Sequence, residues 1–295
     1  MKSIATVMLI FCQLILINNH SRAQYVYLMD QGLTNFPVAP KSLEKFEVID
    51  SSILIITYSV VIVNDTTNPS SLQNDILVLR IGEKLSKSYS NLLFHTDSIY
   101  TENLKRGLSK SPMFQGSVPP VEVFKNYPAN KTTVIYRTFG EGPVLIYTED
   151  SLKFDWKILP DTKKYLNYSC QKATTTFRGR TYEAWFTYEI PLSEGPYKFT
   201  GLPGLILQIQ DTKNHYVFDC IGIEMEKNKD VIKMWDWEYE EISRKKLNAF
   251  IKRIHENPIS YLKTSGITLL QKGKEGQVEP VSESHKSPYN PIELE

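Results

Sequence analysis

Histidine and cysteine are scarce in this chain, and their scarcity removes several kinds of chemistry at once. There are 5 His and 3 Cys among 295 residues. His95, His215, His255 and His285 each stand more than four residues from any other His or Cys, so the ligand spacings of a zinc site are missing. Also absent are H-E-x-x-H, the G-x-S-x-G nucleophile elbow, the phosphate-cradling G-x-x-x-x-G-K-[ST], G-x-G-x-x-G and C-x-x-C. No metal site, no cofactor site and no catalytic constellation is assigned. An excess of either charge is missing too: 34 Lys and Arg stand against 33 Asp and Glu, a net charge of +1, with no basic stripe, which argues against nucleic acid as a partner.

One apolar run stands out. After Met1-Lys2 the segment Ile4–Ile17 is apolar except for Thr6 and Gln13, and Ser21-Arg22-Ala23-Gln24 follows. A run of about 14 residues is too short for a span of ~20. The small residues Ser21 and Ala23 suit signal peptidase, so residues 1–23 read as a cleaved secretory leader. No later segment approaches membrane length, so no transmembrane span is expected after cleavage. The mature part would carry 32 basic and 33 acidic residues, Lys2 and Arg22 having left with the leader.

The remaining chain reads as β-rich. Aromatics reach 12%, with 17 Tyr, and residue alternation is frequent. Ser52–Val63 and Asp75–Ile81 read as strands, and Leu85–Phe94 as a third. Ser98–Ser111 reads as a helix. Thr132–Phe139 and Pro143–Tyr147 form a hairpin across Gly140-Glu141-Gly142. Thr181–Ile190 places Tyr182, Ala184, Phe186 and Tyr188 on one side, with Glu183 and Trp185 on the other. Pro191, Gly195-Pro196 and Gly201-Leu202-Pro203-Gly204 then break the chain. In the next hairpin, Gln210 opposite His215 would set Ile209, Leu207 and Leu205 against Tyr216, Phe218 and Cys220 on one apolar face. A helix follows over Glu240–His255. The expected fold is mainly β, a single curved antiparallel sheet, half-barrel-like, with one or more packed helices. Residues 24–270 read as one domain and 271–295 as a disordered tail.

Candidate functional residues are few. Arg178 and Arg180 flank Gly179 and suit either an anion grip or a solvated turn. Trp185 suits either a loop cover or the wall of an apolar groove. His215 beside Asp211 suggests a solvated hairpin tip more than a base with its orienter. Cys170 and Cys220 suit either a disulfide or two buried thiols.

The order Ser169-Cys170-Gln171-Lys172-Ala173-Thr174-Thr175, Phe177-Arg178-Gly179-Arg180, Glu183-Ala184-Trp185-Phe186-Thr187, Gly195-Pro196-Tyr197-Lys198-Phe199 and Gly201-Leu202-Pro203-Gly204-Leu205-Ile206 resembles the GLPGLI family of exported Bacteroidetes proteins. The likeness is most specific over 164–224. It implies a periplasmic or outer-membrane-associated place in a diderm bacterium, without an established activity. The element pattern is also similar to LolA-like half-barrels. The combined expectation is a non-enzymatic envelope protein that binds an apolar small molecule or an envelope protein through Trp185, Arg178, Arg180, Tyr197 and Phe199. A hydrolase with an unrecognised site and a purely structural or assembly module are the alternatives.

Overall fold

The computed structural model describes residues 25–29, 38–108, 119–227, 230–264, 267–272, 276–284 and 286–295. The leader assigned to residues 1–23 lies outside them. In chain order the strands are β1 (Tyr25–Met29), β2 (Phe46–Val63), β3 (Leu72–Gly82), β4 (Ser86–Ser90), β5 (Val121–Lys125), β6 (Lys131–Arg137), β7 (Val144–Asp150) and β8 (Lys157–Tyr165). They continue as β9 (Tyr168–Phe177), β10 (Arg180–Thr187), β11 (Leu205–Asp211), β12 (Tyr216–Met225), β13 (Val231–Trp235), β14 (Tyr239–Glu241), β15 (Ile267–Lys272) and β16 (Val278–Pro280). The helices are α1 (Asn91–Lys105), α2 (Arg244–Glu256) and α3 (Pro258–Thr264).

Two compact units result, where the sequence suggests one domain. Among the described residues the smaller contains β1 and those between 253 and 287, with β1 parallel to β15 and β16 antiparallel to it. The larger comprises residues 35–252 and 288–295. Its sheet runs in the order β14-β7-β6-β5-β4-β3-β2-β12-β11-β10-β9-β8, with β13 also on β2. The pairing is antiparallel apart from β14 on β7.

Alternation gives this sheet one largely apolar face, interrupted by Asp75 on β3 and by Ser86, Ser88 and Ser90 on β4. On β2 the residues Leu54, Ile56, Tyr58, Val60 and Ile62 are buried while their neighbours are more open. Register carries that face sideways: Tyr58 lies opposite Leu77 and Cys220, and Val60 opposite Asp75 and Phe218. Phe218 is opposite Ile209, and Ile209 opposite Ala184. Towards the other edge the same face bears Val123, Val134, Tyr136, Leu145 and Tyr147, covered by Leu247, Phe250 and Ile251 of α2. The reverse face of β5–β7 packs Phe124, Ile135 and Val144 on Ile232, Trp235 and Trp237.

Two expectations shift. Ser90 caps α1, its hydroxyl accepting from the Leu93 amide at 3.2 Å, so the third strand stops at Ser90 and the helix begins at Asn91 instead of Ser98. In the β11–β12 hairpin Ile209 pairs with Phe218 and Gln210 with Val217, two residues from the predicted register. The Asp211 carboxylate accepts from the His215 and Tyr216 amides at 2.6 and 2.8 Å, which widens the turn. An even offset preserves parity, so Leu205, Leu207, Ile209, Tyr216, Phe218 and Cys220 are all buried.

The 271–295 segment departs further from the sequence reading. It supplies the end of β15 and all of β16, and its last eight residues belong to the larger unit, where they lie on its apolar face. Its polar composition suggests disorder because local burial is low. The groups that order it come from distant strands.

Candidate functional site

The sheet curls enough to bring distant strands together. Eight strand spacings separate β7 from β10, about 38 Å if the sheet were flat. Yet Arg178, in the turn between β9 and β10, meets Glu149 of β7 at 2.6 Å. The apolar face therefore becomes the inside of a trough, and these two side chains meet across it.

The loop 188–204 enters that trough and is held on several sides. Lys125 Nζ donates to the Gly195 carbonyl at 2.7 Å and the Phe199 carbonyl at 3.2 Å, and it pairs with Glu194. Ser86 donates to Glu194 at 3.0 Å, and Trp156 to the Thr200 carbonyl at 2.8 Å. The motif residues Leu202, Leu205 and Ile206 are fully buried. Gly201 adopts φ +96, a left-handed conformation that favours glycine. Gly204 presses on the Thr187 backbone, and Pro203 lies in the bend between them.

This clamped loop aims Lys198 inward. Its side chain is completely buried, with Nζ 2.8 Å from the Tyr147 hydroxyl, 2.8 Å from Glu149 Oε1 and 2.5 Å from Glu293 Oε1. Glu293 also accepts from the Tyr197 hydroxyl at 2.6 Å, from Arg178, and from Arg244 of α2 at 3.3 Å. Burial by itself would raise the Glu293 carboxyl. Lys198, the Tyr197 hydroxyl and Arg178 outweigh it and hold that carboxyl below its ordinary range. Burial, and then Glu293, pushes Tyr197 upward, so its hydroxyl remains a donor.

The backbone before Glu293 is gripped as closely. Arg180 donates to Asn290 Oδ1 at 2.5 Å and to the Pro291 carbonyl at 2.6 Å. Tyr216 donates to the Asn290 carbonyl at 2.6 Å, and Tyr182 to the Ile292 carbonyl at 3.1 Å. Asn290 Nδ2 reaches the Val63 carbonyl at 2.6 Å, and the Leu294 amide the Arg178 carbonyl at 2.9 Å. Ile292 and Tyr197 border a cavity of ≈ 80 Å³ walled by Val60, Leu77, Val121, Val123 and Phe218.

Of the sequence candidates, Arg178, Arg180 and Tyr197 come together here. The two arginines do not lie on a solvated turn: both grip carboxylates, and Arg180 is 5% exposed. Phe199 is buried among Phe154, Phe177, Tyr182 and Tyr197 and does not border the cavity. Trp185 lies on the opposite face, with Lys163 Nζ 4.3 Å and Lys172 Nζ 5.9 Å from its ring, so it walls no part of this cavity. Asp211 binds Arg180 at 3.0 Å, and Arg180 stands 3.5 Å from His215 Nδ1. A guanidinium therefore occupies the place a base–orienter pair would need. Cys170 and Cys220 are free buried thiols, and burial pushes Cys220 up to about 11. Among the described residues no His, Cys, Asp and Glu group could hold a metal ion.

Sequence reasoning passed over Lys198, Glu149, Arg244, Asn290 and Glu293. Glu149 alone carried a local signal, as a charge continuing the Leu145–Tyr147 face of β7.

No curated protein matches the chain. Two crystal structures of PNGF-II, in space groups P21 and C2, are similar at 15% identity each, with TM-scores of 0.45 and 0.46. Each comparison covers 69% of this chain, but 34% and 33% of the respective PNGF-II chains, about a third of their length. The family model described as N-glycanase peptide, N-terminal domain, matches residues 98–247, half of the sequence and the whole stretch from α1 into α2. The chain belongs to that N-glycanase peptide, N-terminal domain family.

Proposed function

We propose that this chain is an exported, non-enzymatic cell-envelope protein whose trough binds a segment of a partner protein. The observation that carries the reading is the apolar cavity beneath Tyr197 and Ile292. At ≈ 80 Å³ it is small against the roughly 300–1,000 Å³ of drug-sized sites, which favours a side chain over a whole lipid. A purely structural module would have a solidly packed sheet. A hydrolase would need a free base near a nucleophile, whereas the charged groups at this site are tied up in mutual ion pairs. Export rests on the leader-like residues 1–23. The GLPGLI resemblance, whose signature block lies within the matched region, supports an envelope location. N-glycanase is a word of the matched family's description, and no such activity is proposed for this chain.

The test is native mass spectrometry of the protein purified from its host's periplasm, beside Val121→Trp, which fills the cavity from a half-buried position. A bound species is expected on the parent and lost from the variant. Equal retention by both, or a parent mass that stays bare even after crosslinking in the periplasm before purification, overturns the reading.

A further inference from the structure

The trough holds part of its own sequence in the manner of a bound peptide. Three consecutive carbonyls, those of Asn290, Pro291 and Ile292, each accept from a side chain of the sheet: Tyr216, Arg180 and Tyr182. Such bonds recognise an extended backbone whatever its side chains. Selectivity then falls on two positions: Ile292, at the apolar cavity, and Glu293, whose carboxylate meets Lys198, Arg178, Arg244 and Tyr197. Without Glu293, three cations would face one carboxylate, Glu149. That cradle is built for an added negative charge. Gly179 leaves room for Leu294, since a Cβ on it would lie 2.9 Å from Leu294 Cβ.

We propose that this cradle is a peptide-recognition site for an extended partner segment with an apolar residue followed by glutamate, and that residues 289–295 are its resident competitor. The proposal rests on the binding reading above and names the chemistry of the partner. Tethering keeps the resident segment at an effective concentration on the order of millimolar, so a partner must outcompete it or be presented at high local density. The occupant is a protein segment because the carbonyl contacts read main chain.

The test compares the full chain with one ending at Ser287. Circular dichroism checks folding, and anisotropy follows a fluorescein-labelled Tyr-Asn-Pro-Ile-Glu-Leu-Glu peptide. The shortened chain should bind saturably and the full chain at least 100-fold more weakly. Replacing the first glutamate of the peptide by glutamine should weaken binding at least tenfold. Lys198, Arg178, Arg244, Tyr197, Tyr147 and Glu149 all face that carboxylate. It is held low when docked, so affinity should be level above the ordinary glutamate value and fall as pH drops through it towards the docked one.

A folded shortened chain that ignores the peptide overturns the proposal. So does indifference to the glutamine exchange, or competition by free glutamate as strong as by the peptide, which would indicate a simple anion site. If the shortened chain does not fold, full-chain Glu293→Gln decides. A folded variant that now admits the peptide supports recognition, whereas an unfolded one makes the segment part of the core and overturns it. Dimerisation of the full chain by exchange of this segment would make a second copy the occupant and also overturn it. Should the peptide fail while a co-purifying molecule still fills the cavity, the broader binding reading survives alone.

Discussion

Gly204 stands where no side chain fits, because a Cβ there would lie 2.0 Å from the Thr187 carbonyl oxygen, a backbone atom that cannot swing aside. Gly204→Val should therefore separate β10 from the loop that aims Lys198, costing about 1–3 kcal/mol of stability and lowering soluble yield and melting temperature together. Urea unfolding of both proteins checks it; unchanged stability would mean that the loop can move away freely. The glycine was legible in the sequence as punctuation. Lys198, six residues earlier, was not: its acidic partners lie 49 and 95 positions away, and no local pattern announces a lysine that will be fully buried. Arg178 and Arg180 were visible as a pair, but whether a turn faces water or carboxylates depends on strands that their neighbourhood does not contain.

Among the elements, parity was readable and register was not. Period-two alternation from Leu205 to Cys220 placed Leu205, Leu207, Ile209, Tyr216, Phe218 and Cys220 inside as expected, but Ile206, on the other face, is fully buried as well under the loop that precedes it. The width of the turn depended on the Asp211 carboxylate capping two amides, a choice that alternation does not encode. A similar limit explains α1. Ser90 reads as one more polar residue on a strand until its hydroxyl is seen to meet the Leu93 amide. Ser90→Ala should cost about 1 kcal/mol in denaturant unfolding, with Asn largely restoring it. If Ala is neutral, packing alone sets the helix start.

For the larger unit, curvature is the property that makes the site. Neither Arg178 nor Glu149 marks a cleft alone; the bending of the intervening strands makes them neighbours. Sheets twist from backbone sterics, but the amount of curl is shared with side chains that meet across the concave side. A double-mutant cycle of Glu149→Gln and Arg178→Met should show a coupling of roughly 0.5–3 kcal/mol in unfolding free energy. Additive effects would assign the curl to strand twist alone. The class of fold was legible because alternation recurs in segment after segment. The trough was not, since it arises from the sum of many small inter-strand rotations.

Strand β2 joins two blocks that are each contiguous in sequence, with β3–β7 on one flank and β8–β12 on the other. Its partner on the second flank, β12, lies far downstream: Tyr216 pairs with Ile62 only after more than 150 intervening residues have been made. Throughout synthesis, that edge, rich in Leu, Ile, Tyr and Val, offers unpaired amides and carbonyls to any passing strand. Truncated chains ending before β12 are thus expected to clump through β2, and a chaperone that shields one open β edge would be the helper this topology calls for.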